Sequence, residues 1–361
     1  MKYVNKYFAA LFLCAGALFA EDNQLPGSES LWLYGHPRFI TSANSAAGGP
    51  LFSAGSYSLI MNPALPADLQ CPALDLGYAG ILNAFVEDDV THAVALRLGG
   101  SVPTRLGVFS LGFNGVMGEE ALRIGNAFAG RLGWARDVTR HFYLGLSVTG
   151  GALTYKEDFR DFYFAADVGA WLRFEQVAFF RQLRFGVALQ NLGKTYSNFG
   201  PKPPEGIDEI KIRMYPGIIT PKIGVAAHLV EANNFALGIS MDIAFPAFTN
   251  FAFNAGLQAL VAEFLYISAG WDLNAQELVS DFNPDKSIHL PYIGIGVKFA
   301  VNTSGSQLFK KRGFDQTDIT VDGVWQMREK DVHLYSIGAA ASFGVRDTIP
   351  PEIKIGNIKN D

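Results

Sequence analysis

From Ala73 to Val345 the chain alternates: large apolar residues recur at every second position, with small or charged residues between them. In residues 185–189 the apolar set is Phe185, Val187 and Leu189. In residues 235–243 it is Phe235, Leu237, Ile239, Met241 and Ile243, with Gly238, Ser240 and Asp242 on the other parity. A period of two predicts strands with one apolar face. A sheet in water would carry Lys, Glu and Thr on its second face. Here that face is mostly Gly, Ala and Ser with a lone charge at intervals, which suits a crowded polar lumen and leaves the bulky face to lipid. The pattern predicts an all-β, transmembrane antiparallel β-barrel.

About fourteen strands are expected, near 73–84, 91–101, 104–116, 126–137, 141–156, 161–176, 182–196, 217–231, 234–246, 250–262, 264–277, 290–303, 317–329 and 332–346. The number is even, and the lengths suit tilted spans of roughly 9–11 residues with extensions beyond the membrane. Asp137 to Arg140 and Glu231 to Asn234 read as tight turns. Asn198 to Pro216, Asn274 to Leu290 and Thr303 to Thr317 read as long polar loops, the first punctuated by Pro201, Pro203, Pro204 and Gly206.

The ends are of other kinds. Lys2 and Lys6, the apolar run Phe8 to Phe19 and the small Ala20 predict a signal peptide over 1–20. Cys14 raises the possibility of lipidation, but Leu13 stands where that signal wants a small residue. Residues 21–72 are rich in Gly, Ala, Ser and Pro without sustained alternation, and read as an N-terminal hatch or plug inside the barrel. The barrel itself is expected over 73–346, and 347–361, opening on Asp347 to Pro351, as a C-terminal periplasmic tail.

Composition fits this division. The net charge is −5, and it becomes more acidic once Lys2 and Lys6 leave, which argues against nucleic acid. Aromatic residues make up 13% and charged residues 17% of the chain. No stretch beyond the signal approaches a spanning helix, so hydrophobicity is spread as a barrel spreads it. Cys71 is the one cysteine left after the signal, which excludes an intramolecular disulfide.

Strand parity turns Arg97, Arg131, Asp167, Arg173, Arg184, Lys222, Asp242, Asp272, Lys298 and Asp322 inward. A charge facing lipid near the midplane costs ~2–4 kcal/mol, so inward placement is nearly forced. Such charges pair with one another and with the plug, or one or two cations hold the head group of an amphipathic ligand. Arg97, Arg131, Arg173 and Lys298 are the candidates for that second role. In strand three, Leu106 and Val108 share a parity while Phe109, Leu111 and Phe113 take the other. That shift predicts a kink at Val108 and Phe109, or a misplaced strand boundary. No nucleophile, carboxylate pair or metal-ligand spacing stands out, so no catalytic residue, metal or cofactor is expected. His228 is inward by parity and reads as a hydrogen-bonding residue of the lumen.

The segment from Gly48-Gly49-Pro50 through Ser58 to Met61-Asn62-Pro63-Ala64-Leu65 resembles the plug of the outer-membrane long-chain fatty-acid and hydrocarbon transporter family, the FadL/TodX group. The general look is similar to treponemal members of that group. The resemblance implies a fourteen-stranded barrel whose hatch motif is Asn62, Pro63, Ala64 and Leu65. It implies passive uptake of a long-chain fatty acid or other hydrophobic ligand, entering from outside and leaving sideways into outer-membrane lipid through a kinked third strand. A monomer in the outer membrane of a diderm bacterium is expected. Shorter loops and the extra tail depart from the family pattern. They keep open a non-transporting barrel that anchors a secretion or surface-assembly partner. A secreted β-sandwich is disfavoured by the strand number and the small-residue face.

Overall fold

The computed structural model describes residues 35–41, 45–86, 89–118, 126–155, 159–194, 219–248, 251–274, 291–303, 305–311, 314, 316–329 and 332–344. The expected signal peptide and periplasmic tail lie outside the described residues, as does the start of the expected hatch.

Fourteen strands are formed among the described residues. They are β1 (Ala73–Val86), β2 (Asp89–Thr104), β3 (Gly107–Gly118), β4 (Asn126–Asp137), β5 (Phe142–Tyr155), β6 (Phe159–Val177) and β7 (Phe180–Lys194). The second half is β8 (Thr220–Ala232), β9 (Phe235–Ala244), β10 (Ala252–Val261), β11 (Leu265–Asn274), β12 (Tyr292–Asn302), β13 (Gln316–Glu329) and β14 (Val332–Phe343). Each pairs antiparallel with its neighbours in sequence, and β1 pairs with β14, so the sheet closes and leaves no edge. No helix among the described residues is long and apolar enough to cross a membrane.

The alternation becomes two faces. Along β4, buried and accessible residues alternate through most of the strand. The outward residues are large and apolar: Leu76 is 58% exposed and Ile295 60%, in a coat that runs round the wall. A water-soluble protein does not expose apolar surface on this scale. Lipid is the solvent for this face, and the closed barrel is an outer-membrane protein.

Turns at one end of the barrel are short, as at Arg105-Leu106 and Ala178-Phe179, and β1 begins and β14 ends there. By the usual asymmetry of such barrels this is the periplasmic end. The connection between β12 and β13, expected among the long loops, belongs by strand parity to this same end. It carries the short helix Gln307–Lys310 and a ring cluster in which Phe309 stacks on Phe343 at 6.1 Å.

Strand three is regular, and the expected kink at Val108 and Phe109 is absent. β3 pairs without a register shift on both sides, from Ala93↔Gly118 to Thr104↔Gly107 and from Val108↔Ala135 to Met117↔Asn126. Val108 is buried and Phe109 exposed, as plain alternation requires. The apparent slip came from Leu106, which lies in the β2–β3 turn and belongs to neither face. Bulges occur elsewhere: β6 shifts register against β7 between Ala166 and Val168, opposite Asn191 at φ 60°.

Candidate functional site in the barrel lumen

Residues 35–41 and 45–69 lie against the inward faces of the strands. They form three short turns of helix, Pro37–Thr41, Ser58–Met61 and the 3-10 turn Leu65–Asp68, with Pro66 in the first turn of the last. The inward glycines of the wall are where this inner segment comes closest. A methyl group on Gly77 would overlap the Gly35 carbonyl, one on Gly145 the Pro63 carbonyl, and one on Gly186 the Ala46 carbonyl. The small-residue face read from the sequence is therefore shaped to the backbone packed on it.

The motif residues sit at the centre of this packing. Asn62 is fully buried. Its Nδ2 donates to Ala46 O at 2.8 Å and to Ala170 O of β6 at 3.1 Å, while its Oδ1 accepts from Ala64 N at 3.0 Å. One amide thus ties two parts of the segment to the wall. Pro63 follows against Gly145, and Ala64 and Leu65 are wholly buried in a cluster with Phe39, Tyr57, Met61, Tyr143 and Trp171.

Charged groups of the wall clamp the same segment. Arg38 pairs with Asp322 of β13 at 2.8 Å and lies over the ring of Tyr266 at 5.3 Å. Asp242 of β9 accepts from Ala46 N at 2.6 Å, and Gln190 of β7 donates to Ile60 O at 2.6 Å. His36 stacks on Tyr57 at 5.2 Å. Its burial, with Arg97 and Arg38 nearby, holds the imidazole well below its ordinary pKa, so it stays neutral.

The four candidate head-group cations are each paired. Arg97 lies 3.3 Å from Asp75, donates to Asn114 at 2.9 Å and reaches Ser56 O at 3.0 Å. Arg131 pairs with Asp167 at 3.0 Å, and Ser147 donates to that same carboxylate. Arg173 pairs with Asp68 at 2.6 Å and Lys298 with Asp318 at 3.4 Å. A ligand's head group would have to displace a carboxylate at each. The carboxylate partners are spread over three walls and the inner segment, so sequence spacing carries no signal of the pairing.

Toward the loop end the lumen changes character. Ala79, Ala95, Val116, Ala127, Leu153 and Leu334 turn inward there and form one apolar cluster with Ile40 of the inner segment. On the outside, the lower wall of β1 to β5 is hollowed into an apolar groove of about 830 Å³ between Leu74, Val102, Phe109, Leu132 and Leu146. Its floor is small: Ser101, Ser110, Gly133 and Ser147. From the lumen side, Leu59 of the inner segment packs directly on Gly133.

Two solved structures of deletion mutants of TodX, a monoaromatic hydrocarbon channel, share this architecture. Each superposes with a TM-score of 0.51 at 10% identity over 84% of this chain, spanning 99% and 97% of the channel. The fold is that of the monoaromatic hydrocarbon channels. At this identity the likeness is one of fold alone. The toluene transporter TodX of Pseudomonas putida matches at a TM-score of 0.49 and 10% identity, over 89% of this chain and 98% of that one. No protein-family model and no curated relative matches the sequence.

Proposed function

We propose that this barrel is a passive outer-membrane channel for hydrophobic molecules, with long-chain fatty acids as its substrate class, and that residues 21–72 are its hatch. The observation that carries the reading is the division of the lumen. A pore for water-soluble solutes keeps a polar interior. Here much of the loop-end interior is apolar, with the Gln326–Asp272 bond beside it, and below it the inner segment is fixed by Asn62, Arg38–Asp322 and Arg97–Asp75. A greasy solute gains nothing by leaving into water, so the exit we propose is lateral, through the wall of β2 and β3 into the hollow outside it. Support comes from the small residues Ser101 and Ser110, which face each other in that wall and floor the hollow. The exit therefore needs no kink in β3.

The test is affinity against chain length on purified protein in non-ionic detergent. Each further methylene buried in the apolar interior contributes ~0.8 kcal/mol, so affinity should climb from decanoate to hexadecanoate. Equal binding of short and long acids would overturn the proposal.

A further inference from the structure

A second cavity, of about 350 Å³, lies at the short-turn end of the lumen, away from the apolar cluster at the loop end. Phe52, Leu69 and Trp171 give it an apolar wall, and the rest of its lining sets the cations Arg173 and Arg184 beside the carboxylates Asp68 and Glu231 and the imidazole of His228. Arg173 is neutralised by Asp68. Arg184 is different. Its residue is 2% exposed, its Nε donates to Gln182 O at 3.0 Å, its Nη2 donates to Pro50 O at 2.5 Å, and its guanidinium lies over Phe52 at 5.7 Å. Its Nη1 is buried without a hydrogen-bond partner, and among the described residues no carboxylate forms an ion pair with it. A guanidinium held out of water with carbonyl partners alone is an unfavourable arrangement unless an anion completes it. His228 Nδ1, on the same wall, makes no hydrogen bond but lies 3.9 Å from Glu231 Oε2.

We propose that this vestibule is a separate binding site for a small monocarboxylate with an apolar body. The carboxylate accepts from Arg184 Nη1, and the body lies against Phe52, Leu69 and Trp171. A carboxylate matches the donors that remain on one guanidinium, whereas a phosphate dianion calls for more. The depth of Arg184 favours a free acid that can enter the cavity over a side chain on the surface of a folded partner. The volume falls at the lower end of small-molecule sites, which span ~300–1,000 Å³. This inference stands apart from the uptake reading, because it concerns the other end of the lumen and uses none of the loop-end cluster.

The experiment titrates octanoate, and octan-1-ol as an uncharged control, into the purified full-length barrel in non-ionic detergent, read by calorimetry and tryptophan fluorescence. The structure predicts a saturable octanoate site that reports through Trp171 fluorescence, distinct from any weaker loop-end binding, and no such site for the alcohol. Arg184→Gln should weaken octanoate at least tenfold while the heat-dependent gel shift of a folded barrel persists, and Arg184→Lys should restore part of the loss. Ala54→Phe fills the cavity while leaving Arg184 in place, and should abolish binding. It carries the test by itself if Arg184→Gln fails to fold. Octanol binding as tightly as octanoate, or octanoate binding that ignores both Ala54→Phe and Arg184→Gln, would overturn the proposal.

Discussion

Asn62 shows how a single side chain can position a segment within a barrel. Its amide bonds join residues 16 and 108 positions away, so replacing it removes the donor that ties Ala46 of the segment to Ala170 of the wall. Asn62→Ala should destabilise the seated segment by about 1–3 kcal/mol, seen as faster hydrogen exchange over residues 45–65 with the strands still protected. Unchanged exchange would remove Asn62 as the anchor. His36 gives the seat a pH dependence. Its folded pKa lies well below the ordinary 6.5, so the released segment takes up protons first as pH falls. The contribution of His36 is fully present above pH 6.5 and declines below it. Protection factors over residues 35–41, taken against the intrinsic exchange rate at each pH, should therefore fall on acidification, and His36→Phe should remove that part of the dependence. At this scale the sequence revealed the inward charges, because parity and the cost of a charge in lipid fix them, and it offered the motif through the family resemblance alone. It did not reveal which carboxylate serves which cation. Arg38 and Asp322 are 284 residues apart, and only barrel closure brings them together.

Among the elements, β3 and the glycine-bearing face teach most. Fourteen strand candidates fell within a few residues of the observed ones, since each carries its own period-two record. The misreading of β3 arose where the record is shortest, at a two-residue turn, because Leu106 is apolar and imitates a strand position. A glycine in a strand costs roughly 0.5–1 kcal/mol against alanine, so a wall that uses many must gain elsewhere. Here the gain is close packing of the inner segment at Gly77, Gly145 and Gly186. That backbone contact has no signature in any one stretch of sequence. The exit assigned to β2 and β3 can be tested directly. Ser101 and Ser110 are cross-strand partners with their hydroxyls 2.6 Å apart, a spacing within reach of a disulfide. In a Cys71→Ser background, Ser101→Cys with Ser110→Cys should reduce ligand uptake at least tenfold when oxidised, recover it under reductant, and leave ligand binding unchanged. Equal uptake in both redox states would refute a route between these strands.

At the scale of the molecule, three regions follow one another along the barrel axis: a largely apolar interior at the loop end, a segment clamped by buried polar contacts, and a vestibule of mixed charge at the short-turn end. The closed wall and its lipid-facing coat were legible in the alternation from Ala73 onward. The axial division was not, because it emerges only when strands of known register bring Ala79, Val116, Leu153 and Leu334 to one level. The central claim is that this apolar interior conducts hydrophobic molecules. The most direct measurement is uptake of labelled hexadecanoate and of sucrose by cells whose outer membrane lacks its own fatty-acid transporter, with and without this protein, alongside Leu153→Arg. Leu153 is fully buried in the apolar cluster, so an arginine there places a charge in the interior proposed to conduct, while the lipid-facing coat stays intact. The protein should raise hexadecanoate uptake several-fold and leave sucrose unchanged, and Leu153→Arg should lose the gain while keeping the heat-dependent gel shift of a folded barrel. No rise in hexadecanoate uptake, or an equal rise for sucrose, would contradict the central claim.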